Sequence, residues 1–150
     1  MSKGLFAVCL IAAAAVIGYG SAGAAAPTDA PVIVQPGAVK FAPVKGMTGV
    51  EYGVLYGDPT KAGSQYAARY RIADGVKFPP HTHPQLEQVT VLSGTFMAGI
   101  GKTWDATKMV SLPAGAYVAI PADLPHYAQA KGETILEVHG IGPDVMNMVK

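Results

Sequence analysis

Cysteine is all but missing from this chain: the single residue, Cys9, lies inside an uncharged run from Gly4 to Ala26. An intrachain disulfide is therefore excluded, and thiol chemistry in the mature protein is not expected, which leaves histidine and carboxylate as candidate metal ligands. Charge is scarce as well, with 11 basic side chains against 10 acidic ones. No basic cluster stands out, so the chain lacks the electrostatic footprint of a nucleic-acid partner. Sustained helical periodicity is absent, no repeat of 20–50 residues is visible, and 150 residues leave no room for a second domain.

The N-terminus has a recognisable layout. Lys3 precedes an apolar run from Leu5 to Ile17, and a small-residue tract, Gly18 to Ala26, follows. A basic start, a short apolar middle and an Ala-x-Ala exit describe a secretory signal peptide. Ala22-Gly23-Ala24 is the best cleavage site, which makes residues 1–24 the signal and Ala25 the first mature residue. Cutting after Ala26 would place Pro27 against the scissile bond. An uncleaved anchor would need about 20 apolar residues, and the Gly/Ser/Ala tail presents a poor lipid-facing surface. The expectation is a periplasmic or secreted protein with no membrane association after cleavage.

Residues 25–49 are rich in Pro, Ala and Gly and read as an N-terminal arm with short strands at Pro31–Gln35 and Val39–Pro43. Residues 50–150 read as many short strands: Val50–Leu55, Gln65–Ile72, Leu86–Leu92, Thr95–Ile100, Met109–Leu112, Tyr117–Ile120, His126–Gln129 and Thr134–His139. Turn signals such as Asp74-Gly75, Ser93-Gly94, Pro113-Ala114-Gly115 and Lys131-Gly132 separate them. Gly101–Lys108 is expected to hold a short helical turn. Such spacing predicts an all-β sandwich or barrel.

Two of the four histidines are one residue apart, in His81-Thr82-His83. In an extended segment, side chains at i and i+2 share a face, so both imidazoles can enter one cavity. Glu87 opens an apolar strand in which Glu87, Val89 and Val91 share the core face. A buried carboxylate is costly unless paired, and a divalent cation is the natural partner. His126 begins a later strand behind the approach Pro121-Ala122-Asp123-Leu124-Pro125.

Gly75, five residues, His81-x-His83, three residues, Glu87, six residues and Gly94 resemble the first motif of the cupin superfamily without departure. Gly115, five residues, Pro121 and then His126 resemble the second motif in part. Asp123 stands where glycine is usual, which puts the turn before His126 in question because that position favours positive φ. Ala130 stands where asparagine is usual. The resemblance spans about Val50 to His139 and implies a double-stranded β-helix, the cupin or jelly-roll barrel, with His81, His83, Glu87 and His126 around one metal ion. Three imidazoles and a carboxylate suit Zn, Mn, Fe, Co, Cu or Ni and disfavour Ca and Mg. An octahedral ion would keep two positions open for water or substrate. Loading after export favours Cu and Zn by affinity order.

Other residues have a structural reading. His139 is a pocket candidate, weighed against a satisfied barrel histidine. Tyr66 and Tyr70 share a face with Ala68 and Ile72 and read as packing. Arg69 and Arg71 take the other face, and would reach a substrate carboxylate only in the opposite register. Trp104 reads as packing over the barrel end, with a pocket lid as the lesser role.

The cupin resemblance implies metal-dependent conversion of a small oxygenated or carboxylated molecule, of the dioxygenase, decarboxylase or isomerase kind. The chain is also similar to small cupin proteins resembling the zinc-binding cupin part of anti-sigma factors, which implies a non-catalytic metal- or ligand-binding module instead. Either way the expected partner is a small molecule, and the protein is a monomer or a homodimer, its arm able to add strands to a neighbour.

Overall fold

In the computed structural model, residues 30–150 are described. The expected signal segment, residues 1–24, and its cleavage site therefore lie outside the described residues. Nine strands form one curled antiparallel sheet: β1 (Ala42–Pro43), β2 (Val50–Gly57), β3 (Gln65–Ile72), β4 (Lys77–Thr82), β5 (Glu87–Ile100), β6 (Val110–Pro113), β7 (Tyr117–Ile120), β8 (His126–Ile141) and β9 (Asn147–Met148). Short 3₁₀ turns cover Pro36–Ala38 and Ala106–Lys108. The second falls inside the helical turn expected over 101–108, and Asp105 caps it by accepting from the Thr107 N–H. The fold is the expected all-β double-stranded β-helix, a jelly-roll barrel.

Its spine is the ladder between β5 and β8, which pair from Gln88↔His139 to Ile100↔His126. Each joins two of the expected strands into one, because two dipeptides read as turns act as bends within continuous strands. Gly94 takes φ 75° and Gly132 takes φ 76°, and the register slips between Ser93 and Thr95. A Cβ on Gly94 would collide with the Glu133 carbonyl and crowd Thr134, so only glycine lets the two bends nest. Past its bend β8 changes neighbour, pairing β4 through residues 126–129 and β3 through residues 134–141. A strand that switches partners in this way closes the barrel corner.

Strand β4 carries Pro79 and Pro80, which lack the N–H a ladder needs, and the sequence pattern hid it for that reason. The ladder tolerates them by skipping: β4 pairs with β8 at Lys77, Phe78 and His81, with a register break between Phe78 and His81. The strand expected at Pro31–Gln35 does not form, and Val39–Pro43 contributes only Ala42–Pro43. Strand β9, not foreseen, pairs His81↔Met148 and Thr82↔Asn147 and folds the C-terminal segment over the His-x-His strand.

The barrel interior is lined by alternate residues of the long strands: Tyr66, Ala68 and Ile72 on β3, Val89 and Val91 on β5, and Ala128, Ala130, Leu136 and Val138 on β8. Burial of these side chains supplies the main stabilising term, at roughly 1.5–3 kcal/mol for each large one. Ala130 is 1 % exposed, and its backbone N–H and C=O pair with Val76 and Gly75. The usual asparagine is thus replaced by a methyl group in the core. Trp104 packs beside the Tyr127 ring, centroids 5.3 Å apart, and does not line the cavity. No helix among the described residues is long and apolar enough to cross a membrane.

Candidate metal centre

His81, His83 and His126 are all buried, and one ring nitrogen from each lies within 4.8 Å of the others. The topology explains the meeting. His81 faces His126 directly across the β4–β8 ladder, and their rings are 4.2 Å apart. His83 lies just beyond β4, where the Asp123 N–H donates to its carbonyl at 2.8 Å. Asp123 adopts φ 60°, so the left-handed turn usually made by glycine forms with aspartate in place. That turn delivers His126 into the barrel mouth.

Each imidazole is oriented by a main-chain carbonyl. Nδ1 of His81 donates to Pro79 O (2.6 Å), that of His83 to Val145 O (2.9 Å) and that of His126 to Leu124 O (3.0 Å). A carbonyl oxygen can only accept, so each Nδ1 carries a proton, and Nε2 is the ring atom left to face a metal ion. Orientation of this kind is how proteins fix histidines as metal ligands. His83 Nε2 is buried with no hydrogen-bond partner, an arrangement that is costly for a core histidine and natural for a ligand atom.

Glu87 comes from the first residue of β5, on the face of Val89 and Val91 as strand parity predicted. Its Oε2 lies 3.6 Å from Nε2 of both His83 and His126. Burial pushes the Glu87 carboxyl upward, but His126 and the other two imidazoles outweigh it and hold the group below its ordinary value. Burial, reinforced by His126, pulls His81 down to about 4, so it is neutral at physiological pH, as a ligand must be. The three buried histidines could hold a transition-metal ion, and Glu87 lies against two of them.

The four groups open onto a cavity in which a water-sized sphere can be centred over about 70 Å³. Its remaining wall is mostly apolar, with Val89, Phe96, Leu136, Val138, Met47 and Met146 among the lining residues. Two polar residues interrupt it, and sequence reasoning gave neither a role in the site. Asp144 Oδ2 accepts from the Tyr70 hydroxyl at 2.8 Å, and its Oδ1 is 3.9 Å from His83 Nδ1. Burial pushes the Asp144 carboxyl up against the opposing influence of Tyr70 and His83. Tyr70 was legible as inward-facing on β3. Asp144 was not, because only the pairing of β9 with β4 brings the C-terminal segment to the cavity.

His139 does not join the site. It lies on the outer face of β8, where Nε2 meets Glu137 Oε1 at 3.1 Å, and its side chain is 48 % exposed. It is therefore neither a group of the metal cavity nor a buried barrel histidine. Its wall is a separate outer depression shared with Gln88 and Tyr56. Arg69 and Arg71 also face outward, paired with Glu137 at 2.8 Å and Glu51 at 3.0 Å, as the expected register requires.

Residues 29–143 match the family described as the ChrR cupin-like domain. The chain belongs to the ChrR cupin-like family. No curated protein matches it by sequence. Among solved structures this cupin resembles the polyketide cyclase RemF from Streptomyces resistomycificus, with 20 % identity and a TM-score of 0.63 over 79 % of this chain and 84 % of that one. It also resembles an RmlC-like cupin from Shewanella frigidimarina NCIMB 400, with 16 % identity and a TM-score of 0.58 over 75 % and 91 % of the two chains. KdgF from Halomonas sp. is similar as well, with 16 % identity and a TM-score of 0.56 over 72 % and 93 %. At such identities the likeness establishes the shared barrel.

Proposed function

We propose that this cupin holds one divalent transition metal on His81, His83, Glu87 and His126, and that it converts a small oxygenated or carboxylated molecule in the adjoining cavity. The observation that carries this reading is the set of three buried Nε2 atoms, each fixed by a carbonyl behind its ring, with His83 Nε2 left without a hydrogen bond. Such an ion acts as a Lewis acid toward a carbonyl or carboxylate oxygen. The chain's own residues supply the rest. The three imidazoles and Glu87 fix the polar end of the cavity, and the apolar wall excludes water. Asp144, hydrogen-bonded by Tyr70, places a carboxyl where a proton can be given or taken. With a leader read over residues 1–24, the compartment proposed is periplasmic or extracellular.

A second reading is favoured by the family itself, since the match is to the ChrR cupin-like domain rather than to an enzyme family. In that reading the same four side chains hold zinc in a binding module without turnover. Metal analysis of purified protein and of its Glu87→Ala variant tests the centre common to both. One equivalent in the parent and none in the variant is expected; full occupancy and unchanged affinity in Glu87→Ala would remove glutamate from the ligand set. Bound ion that exchanges a coordinated water for small anions supports conversion, and inert stoichiometric zinc supports the binding module.

A further inference from the structure

Among the described residues, the cationic side chains near the cavity are turned away from it. Arg69 and Arg71 sit on β3 between inward-facing residues, yet both point outward and are bound to Glu137 and Glu51. Lys77, at the start of β4, lies over the Trp104 ring at 5.2 Å. The residues lining the cavity include no lysine or arginine. The charged groups that do line it, apart from the histidines, are Glu87 and Asp144. A divalent ion with the Glu87 carboxylate leaves one net positive charge, and Asp144 can contribute only a neutral or a negative group. A ligand with a second negative charge would bring an uncompensated anion into an apolar enclosure, which is strongly unfavourable.

From this, and resting on the metal centre proposed above, we infer that the cavity selects a compact ligand with at most one negative charge. Its oxygen atoms face the histidines and Glu87, and an apolar body lies against Val89, Phe96, Leu136 and Val138. About 70 Å³ of centre space corresponds to roughly five to seven waters at 10–15 Å³ each. Bonded atoms sit closer together than waters do, so a short branched hydroxy acid is accommodated. Phosphorylated compounds, dicarboxylates and nucleotide-linked sugars are excluded by charge. Asp144 reinforces the exclusion when ionised, because it lines the same cavity.

The test compares two acids on the full protein loaded with Co(II). 2-Hydroxyisovalerate and tartronate share a hydroxycarboxylate head and have equal numbers of non-hydrogen atoms, but an isopropyl group in one replaces a carboxylate in the other. Cobalt loading is measured first by metal analysis. Affinities are then measured by calorimetry, with the cobalt visible spectrum reporting ligation, and each is divided by that acid's affinity for aqueous Co(II). The expected result is a normalised preference of at least about tenfold for 2-hydroxyisovalerate. Met47→Lys and Met146→Lys, each placing an ammonium at the cavity wall, should narrow that gap. Equal normalised affinities on fully loaded protein, or binding of neither acid, would overturn the charge selection and leave the metal centre standing. So would persistence of the gap in both folded lysine variants. Failure to load cobalt at all would overturn the metal centre itself.

Discussion

Strand β8 carries two histidines, and their surroundings differ in every respect. His126 is 4 % exposed, has its Nδ1 tied to a carbonyl, and lies beside two more imidazoles and a carboxylate. His139 is half exposed on the outer face, joined with Arg69 to Glu137. The same parity divides β3, which sends Tyr66, Ala68 and Ile72 inward and Arg69 and Arg71 outward. Inside, polar groups are few, and the three histidines, Glu87 and Asp144 gather around one cavity. Outside, charges of both signs pair with one another, where such pairs are worth about 0–1 kcal/mol each. The barrel thus separates chemistry from solubility through alternation alone, and a residue's role depends on its face more than on its type.

The strongest break of this contrast is His126→Ala. Removing one imidazole from the inner cluster should abolish stoichiometric metal loading while the barrel still folds, because the substitution lightens the cavity end and leaves the apolar core intact. Metal analysis together with a thermal melt of the metal-free protein checks both halves. A folded variant with full loading would show that His126 is not a ligand.

Acid titration separates the buried His81 from the carboxylates by pH window. His81 has a folded value of about 4 against 6.5 unfolded, so the unfolded chain takes up the proton first. Its contribution is complete above 6.5 and is lost as pH falls toward 4, amounting to about 3 kcal/mol in the metal-free protein. Glu137 behaves differently. Burial raises it, Arg69 and His139 lower it further, and its carboxyl ends below the ordinary 4.5. A depressed carboxylate contributes fully above its unfolded value and is lost only at lower pH. Glu87, on the inner side, shares that lower window. Melting temperatures of metal-free protein should therefore already decline between pH 6.5 and 4.5, above the window in which Glu137 and Glu87 lose their contributions. A flat profile down to pH 4.5 would contradict the burial of a neutral His81. Bound metal should resist the decline until protons displace it.

Much of the inner face was legible because it rests on local rules. The i, i+2 spacing of His81 and His83 and the parity of Glu87 with Val89 and Val91 are properties of an extended backbone, and the motif around them placed His126. The continuity of β5 and β8 was not legible, since Ser93-Gly94 and Lys131-Gly132 look like chain reversals when read alone. Only the nesting of one bend against the other makes them corners. Strand β4 was hidden by Pro79-Pro80, whose missing donors are tolerated through a skipped register that no local pattern announces. Asp144 was the largest omission, because its place depends on β9 pairing with β4 across more than sixty positions. Asp123 shows the opposite case. Its departure from glycine was visible in the sequence, and the chain takes the φ 60° conformation regardless.

The smallest effect expected is also the sharpest control. His139→Ala removes an exposed imidazole whose carboxylate partner keeps its closer bond to Arg69, at 2.8 Å against 3.1 Å. No buried group loses its partner, so the stability change should stay within about 0.5 kcal/mol, as for ordinary surface substitutions. Metal loading should be unchanged, because β8 turns this side chain to the face opposite His126. The same metal analysis and thermal melt used for His126→Ala decide the matter on a matched pair of variants. If His139→Ala lost metal while melting normally, the two faces would be coupled and the division of labour by strand parity would be wrong. If both variants behaved alike, residue type and not face would govern function in this barrel.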